Sequence, residues 1–156
     1  MATFTIASGN AAPAVATGSV LAVAPTLFSM NGNGMGVAAA TAIRTQAGNP
    51  SLQSPVTVFQ TSGSGYVSVP IDVGVDTPVF LTLYGTGIRN RSALSAVSVT
   101  INGVSVPVLY AGPQPSFTGL DQVNVPLTLN LRGAGEANVV LTVDGNTANI
   151  VTVNVK

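Results

Sequence analysis

The pair Asn102-Gly103, set between the alternating runs Val97–Ile101 and Val104–Tyr110, constrains this chain more than any other feature. Asn-Gly tolerates positive φ at two successive positions, as a two-residue type I′ turn requires, so the flanking runs must fold back on each other as an antiparallel hairpin. A second signal of this kind, Asp144-Gly145-Asn146, separates a strand over Asn138–Val143 from a return strand over Asn149–Val155. Val56–Gln60 and Tyr66–Ile71 flank a Thr61-Ser62-Gly63-Ser64-Gly65 tip, and Pro78–Arg89 is the longest apolar strand, ending in Gly85-Thr86-Gly87 and a loop with Arg89 and Arg91. From Val56 onward the chain holds roughly seven strands at spacings of about 8 to 12 residues and no convincing helix, which predicts an all-β, immunoglobulin-like β-sandwich.

The N-terminal part follows a different plan. Thr3-Phe4-Thr5-Ile6 alternates, Ser8-Gly9-Asn10 signals a turn, and Ala14–Ala24 returns through Val20, Leu21 and Val23 before Pro25. This predicts an extra N-terminal β-hairpin within residues 1–30, resembling the tail of a preceding β-module. Residues 31–55 read as a linker and an edge strand, and residues 56–156 as the sandwich. Strands without a sheet of their own expose edges that recruit partners. Thr3, Phe4, Thr5, Ile6, Val20, Leu21 and Val23 are therefore the expected self-association strands, donated to a neighbouring copy as a filament or oligomer or added to the chain's own sandwich.

Composition narrows the chemistry. Five Lys or Arg and five Asp or Glu make the chain 6% charged, far below the usual roughly 25%. The basic residues Arg44, Arg89, Arg91, Arg132 and Lys156 are scattered singly, so no basic stripe for nucleic acid exists. Val20–Pro25 and Val104–Ala111 fall well short of the roughly 20 residues of a membrane span, so no membrane insertion is expected. No basic segment followed by an apolar one marks a secretory signal at the start. With no Cys and no His, thiolate chemistry, the commonest general base and the commonest transition-metal ligands are missing.

The remaining patterns have plain structural explanations. The Gly32, Gly34 and Gly36 loop lacks the dinucleotide-fingerprint spacing and the following acidic residue. Asp72 and Asp76 flank Gly74 without the spacing of a calcium loop. Asn90-Arg91-Ser92 is a formal glycosylation sequon. Asp144 and Glu136 belong to turns, and a Ser nucleophile has no base. No catalytic residue, cofactor or metal site is expected, and the chain is read as not an enzyme.

Asp121 is the exception among the charges. Alternation through Val123 and Val125 turns it inward, where an unpaired carboxylate costs several kcal/mol. Arg89 or Arg91 is its natural partner for a bidentate structural ion pair, the alternative being a carboxylate that caps its own loop over Phe117–Leu120. Tyr66, Tyr84, Tyr110 and Phe117 raise a glycan platform as a second class, although 5% aromatic residues and no Trp favour packing roles.

Four motifs in order carry a family resemblance: Leu83-Tyr84-Gly85-Thr86-Gly87-Ile88-Arg89, Leu109-Tyr110-Ala111-Gly112-Pro113-Gln114, Gly119-Leu120-Asp121-Gln122-Val123-Asn124-Val125, and Leu141-Thr142-Val143-Asp144-Gly145 followed by Ala148-Asn149. Over about Val20–Lys156 the chain resembles the Solibacter-type uncharacterised C-terminal domain family. The resemblance implies an immunoglobulin-like or IPT/TIG-like sandwich at the end of a large secreted or surface protein of acidobacteria, and it carries over no catalytic residue or ligand. The expectation is therefore a non-catalytic structural or interaction module, extracellular or at the cell surface, with protein as its partner. A carbohydrate-binding module is the alternative.

Overall fold

In the computed structural model, which describes residues 1–156, both turn signals fold back over two residues. Asn102 and Gly103 take φ of 50° and 77°, and Asp144 and Gly145 take 47° and 78°. Ile101 then faces Val104, and Val143 faces Asn146.

In chain order the strands are β1 (Ala2–Ile6), β2 (Ala14–Gly18), β3 (Thr26–Leu27), β4 (Ala40–Gln46), β5 (Asn49–Val56), β6 (Phe59–Ser62), β7 (Gly65–Ser68) and β8 (Pro70–Ile71). There follow β9 (Val79–Thr86), β10 (Val97–Ile101), β11 (Val104–Val106), β12 (Tyr110–Pro113), β13 (Asp121–Leu127), β14 (Gly135–Val143), β15 (Asn146–Thr147) and β16 (Val151–Val155). The only helical segments are two 3-10 turns, Leu94–Ala96 and Leu129–Leu131. None is long and apolar enough to cross a membrane.

Two large, mainly antiparallel sheets pack face to face. The first runs β12-β13-β9-β4-β5, with β3 also on β9; the second runs β11-β10-β14-β16-β8, with β15 on β14. Period-2 alternation makes the core: Val79, Leu81 and Leu83 of β9 with Val123 and Val125 of β13 meet Val139 and Leu141 of β14 with Val151 and Val153 of β16, all fully buried. Burying each such side chain is worth about 1.5–3 kcal/mol, so this interior dominates the stability of the sandwich.

Three stretches that read as single strands are divided, two of them at prolines. Val104–Tyr110 divides at Pro107: β11 belongs to one sheet and β12 to the other. Without an N–H, Pro107 leaves one ladder bond unmade, and the chain crosses between the layers there. Tyr66–Ile71 divides likewise before Pro70, with β7 pairing β6 and β8 joining β16 in parallel. Val56–Gln60 is shared between the end of β5 and the start of β6.

The stretch over residues 31–55 contributes more than a linker and an edge. β4 is an inner strand between β9 and β5, and only β5 lies at the rim. The Gly36–Ala38 segment runs beside β16, where Ala38 N–H donates to Thr152 and Thr152 N–H donates to Gly36. The sandwich thus draws on residues from Val23 onward.

Candidate functional site

Two places gather the residues singled out by sequence: the end of β9 and the N-terminal hairpin. At the first, the chain leaves β9 through Gly87, whose φ of 75° suits a residue without a β-carbon. This bend aims the N–H groups of Ile88 and Arg89 at Asp121, the first residue of β13. Asp121 Oδ2 accepts both, at 2.8 and 3.1 Å, and Oδ1 accepts Arg89 Nε at 2.7 Å. Arg89 Nη2 donates onward to the Leu120 carbonyl at 2.9 Å. The Asp121 side chain is 0% exposed and that of Arg89 is 35% exposed.

Arg89, rather than Arg91, is therefore the partner, and the contact to the carboxylate is single, because the second guanidinium donor serves a backbone carbonyl. Asp121 bonds the amides of the loop after β9 instead of capping Phe117–Leu120. With three donors and no exposure, this carboxylate fastens β13 to the end of β9 and has no access to a substrate. Arg91 takes another course. Its Nη1 lies across Gly112, where a β-carbon would be 3.4 Å away, and its Nε is buried without a hydrogen-bond partner.

The other carboxylates stand apart. Asp144 accepts the N–H and hydroxyl of Ser92 at 2.9 and 2.6 Å, joining the hairpin turn to the loop after β9. Glu136 accepts the Thr152 hydroxyl at 2.9 Å. Asp76 lines an open polar groove of about 330 Å³ beside Arg44, Gln46 and Gln53, and the Arg44 guanidinium is held by the Thr77 hydroxyl and the Asp72 carbonyl. Nowhere do three Asp or Glu residues approach closely enough to hold a metal ion.

Of the four aromatic residues considered for glycan, only Tyr84 and Tyr110 share a face. Tyr84 pairs with Gln122 and Tyr110 with Asn124, placing both rings on the outer side of the first sheet. Tyr66 instead packs edge-on against Phe59, with ring centroids 5.7 Å apart, and Phe117 is exposed in the loop before β13.

In sequence Asn149 stands out only as the start of the return strand and as a member of the fourth resemblance motif. Between the pairs Thr142–Thr147 and Val139–Val151 the return strand carries one residue more than β14. That bulge turns the Asn149 amide toward the N-terminal segment. Its Oδ1 accepts Leu27 N–H at 2.9 Å, and its Nδ2 donates to the carbonyls of Leu27 at 2.9 Å and Gly34 at 2.7 Å. A side chain thus replaces a strand as hydrogen-bond partner and pins the glycine-rich loop.

At the second place, β1 and β2 pair only with each other. In their register Ala2 faces Gly18, Phe4 faces Ala16 and Ile6 faces Ala14, so alternation gathers these six residues on one apolar face. Nothing covers it: Phe4 is 53% and Ile6 71% exposed. The expected return strand over Val20, Leu21 and Val23 does not form, since β2 ends at Gly18. Val20 and Leu21 are exposed, and Val23 belongs to the sandwich core at 5% exposure. Val23 therefore lies outside the expected self-association strands for a physical reason: Ala24 N–H donates to the Gly87 carbonyl, drawing the chain onto the end of β9.

No protein-family model, curated protein or solved structure gives a significant match to the chain.

Proposed function

We propose that the chain is a non-catalytic structural or interaction module of a secreted or cell-surface bacterial protein, an immunoglobulin-like sandwich that self-associates through its N-terminal hairpin. The single observation that carries this is the uncovered apolar face of Ala2, Phe4, Ile6, Ala14, Ala16 and Gly18. A two-stranded hairpin is marginal in water by itself, and an exposed face of this kind marks an interaction site.

Strand order supports the immunoglobulin-like part. With β9 to β14 and β16 read in sequence as strands B, C, C′, D, E, F and G, the first sheet carries D-E-B and the second C′-C-F-G. The extracellular setting rests on the four-motif resemblance to secreted acidobacterial domains.

Deletion of residues 1–18 tests the proposal without touching Val23. Light scattering is expected to show concentration-dependent assembly of the full chain and a monomer after deletion, with the melting temperature of the sandwich changed by less than about 2 °C, since β1 and β2 make no ladder with it. Assembly that survives the deletion would refute the proposal.

The shared face of Tyr84 and Tyr110, with Gln122 and Asn124 between them, favours carbohydrate binding as a second reading. Amide side chains next to aromatic rings suit sugar hydroxyls and apolar sugar faces. On this reading a glycan array gives reproducible hits that Tyr84→Ala reduces at least tenfold; an array without hits removes it.

A further inference from the structure

Every open sheet edge of the sandwich carries a device against strand addition. β5 contains Pro50 and Pro55, β12 contains Pro113, β8 begins at Pro70, and the three-residue β11 is followed by Pro107. Proline removes the donor an added strand would need. The small hairpin is defended differently: Asn31 Oδ1 accepts Tyr66 N–H at 2.9 Å and its Nδ2 donates to the Tyr66 carbonyl, occupying the backbone of β7, while β6 offers the polar Gln60, Thr61 and Ser62.

β1 has no such protection. Ala-Thr-Phe-Thr-Ile contains no proline, glycine or charge, and the first charged side chain in the sequence is Arg44. β2 is the poorer pairing strand, being preceded by Pro13 and rich in Ala and Gly.

We infer that β1 is the pairing strand of the self-association proposed above and that its partner is β1 of a second copy, antiparallel and centred on Phe4. This rests on the proposed self-association and specifies its register. Centring on Phe4 opposes Phe4 to Phe4, Thr3 to Thr5 and Ala2 to Ile6. The apolar faces of the two hairpins then become continuous in a four-stranded sheet, with the aromatic rings as neighbours and the threonines paired on the other side. Two hairpins without charged side chains meet without the side-chain repulsion that blocks ordinary edges. The same patch serves both copies, so the contact closes as a two-fold dimer. Five residue pairs cover less than the roughly 1,200 Å² at the lower limit of stable interfaces, so the dimer forms reversibly with concentration.

The chain contains no cysteine, so single cysteines report register directly. Under mild oxidation Phe4→Cys is expected to give disulfide dimer, with at least fivefold less from Thr3→Cys or Thr5→Cys alone. A mixture of Thr3→Cys and Thr5→Cys, which keeps Phe4, is expected to give the mixed dimer at a yield comparable to Phe4→Cys. Equal yields from all single variants, no mixed dimer, or preferential cross-linking through Val15→Cys in β2 would overturn the inference. If deletion of residues 1–18 abolishes assembly while the cross-links do not centre on Phe4, this register is wrong and the proposed self-association stands. If the full chain never assembles, both are wrong.

Discussion

Asp121→Asn is expected to lower the melting temperature by about 6–20 °C. Asp121 is fully buried and receives two backbone N–H groups and one guanidinium N–H. An asparagine keeps the shape but replaces one acceptor by a donor, which must then face one of those donors. Breaking a buried pair from one side costs about 3–5 kcal/mol, and in a protein of this size each kcal/mol shifts the midpoint by about 2–4 °C. Arg89→Gln should act in the same direction and less strongly, because both backbone amides remain on the carboxylate and the arginine is already one-third exposed. Circular dichroism melts of the two variants check this. Unchanged midpoints in both would mean that the pair contributes nothing to stability.

A comparable loss is expected from Gly87→Ala, by a different route. The φ of 75° disfavours any β-carbon, at a cost of about 1–2 kcal/mol, and the added carbon would overlap the carbonyl oxygen of Ala24. The segment that carries Val23 and Leu27 into the core would have to lift away from β9. Unseating a buried leucine brings the total above about 3 kcal/mol. Urea unfolding should show this loss, together with new protease cleavage between Ser19 and Phe28. Gly63→Ala is the control: its φ is also positive, at 58°, but the space around it is open. A Gly87→Ala protein as stable as that control would contradict the steric account.

The parts of the fold legible in sequence are those written in local chemistry. Asn102-Gly103 and Asp144-Gly145 specify turns through their own backbone preferences, and alternation in Val79–Thr86 and Asp121–Leu127 declares which side chains point inward. Asp121 was recognisable because a carboxylate among inward valines demands donors, although alternation could not choose between Arg89 and Arg91. What stayed hidden depends on partners far along the chain. β4 falls in a stretch that reads as linker and edge strand, its Ala40, Thr41 and Ala42 being small, yet two neighbours make it interior. Val23 looks like part of an N-terminal strand until Gly87 captures Ala24. Asn149 reads as the ordinary start of a return strand, and only the bulge that aims it at Leu27 gives it a task.

One pairing bears on how this domain would carry load. Gly36–Ala38 and β8 both run parallel to β16, hydrogen-bonded along its length, while Val23 and Lys156 lie at opposite ends of the sandwich. Tension drawn between those ends acts along these strands, so the early and late parts of the chain can separate only by sliding. Their cross-bonds must then yield together in shear, whereas a hairpin pulled open at its tip gives way one rung at a time.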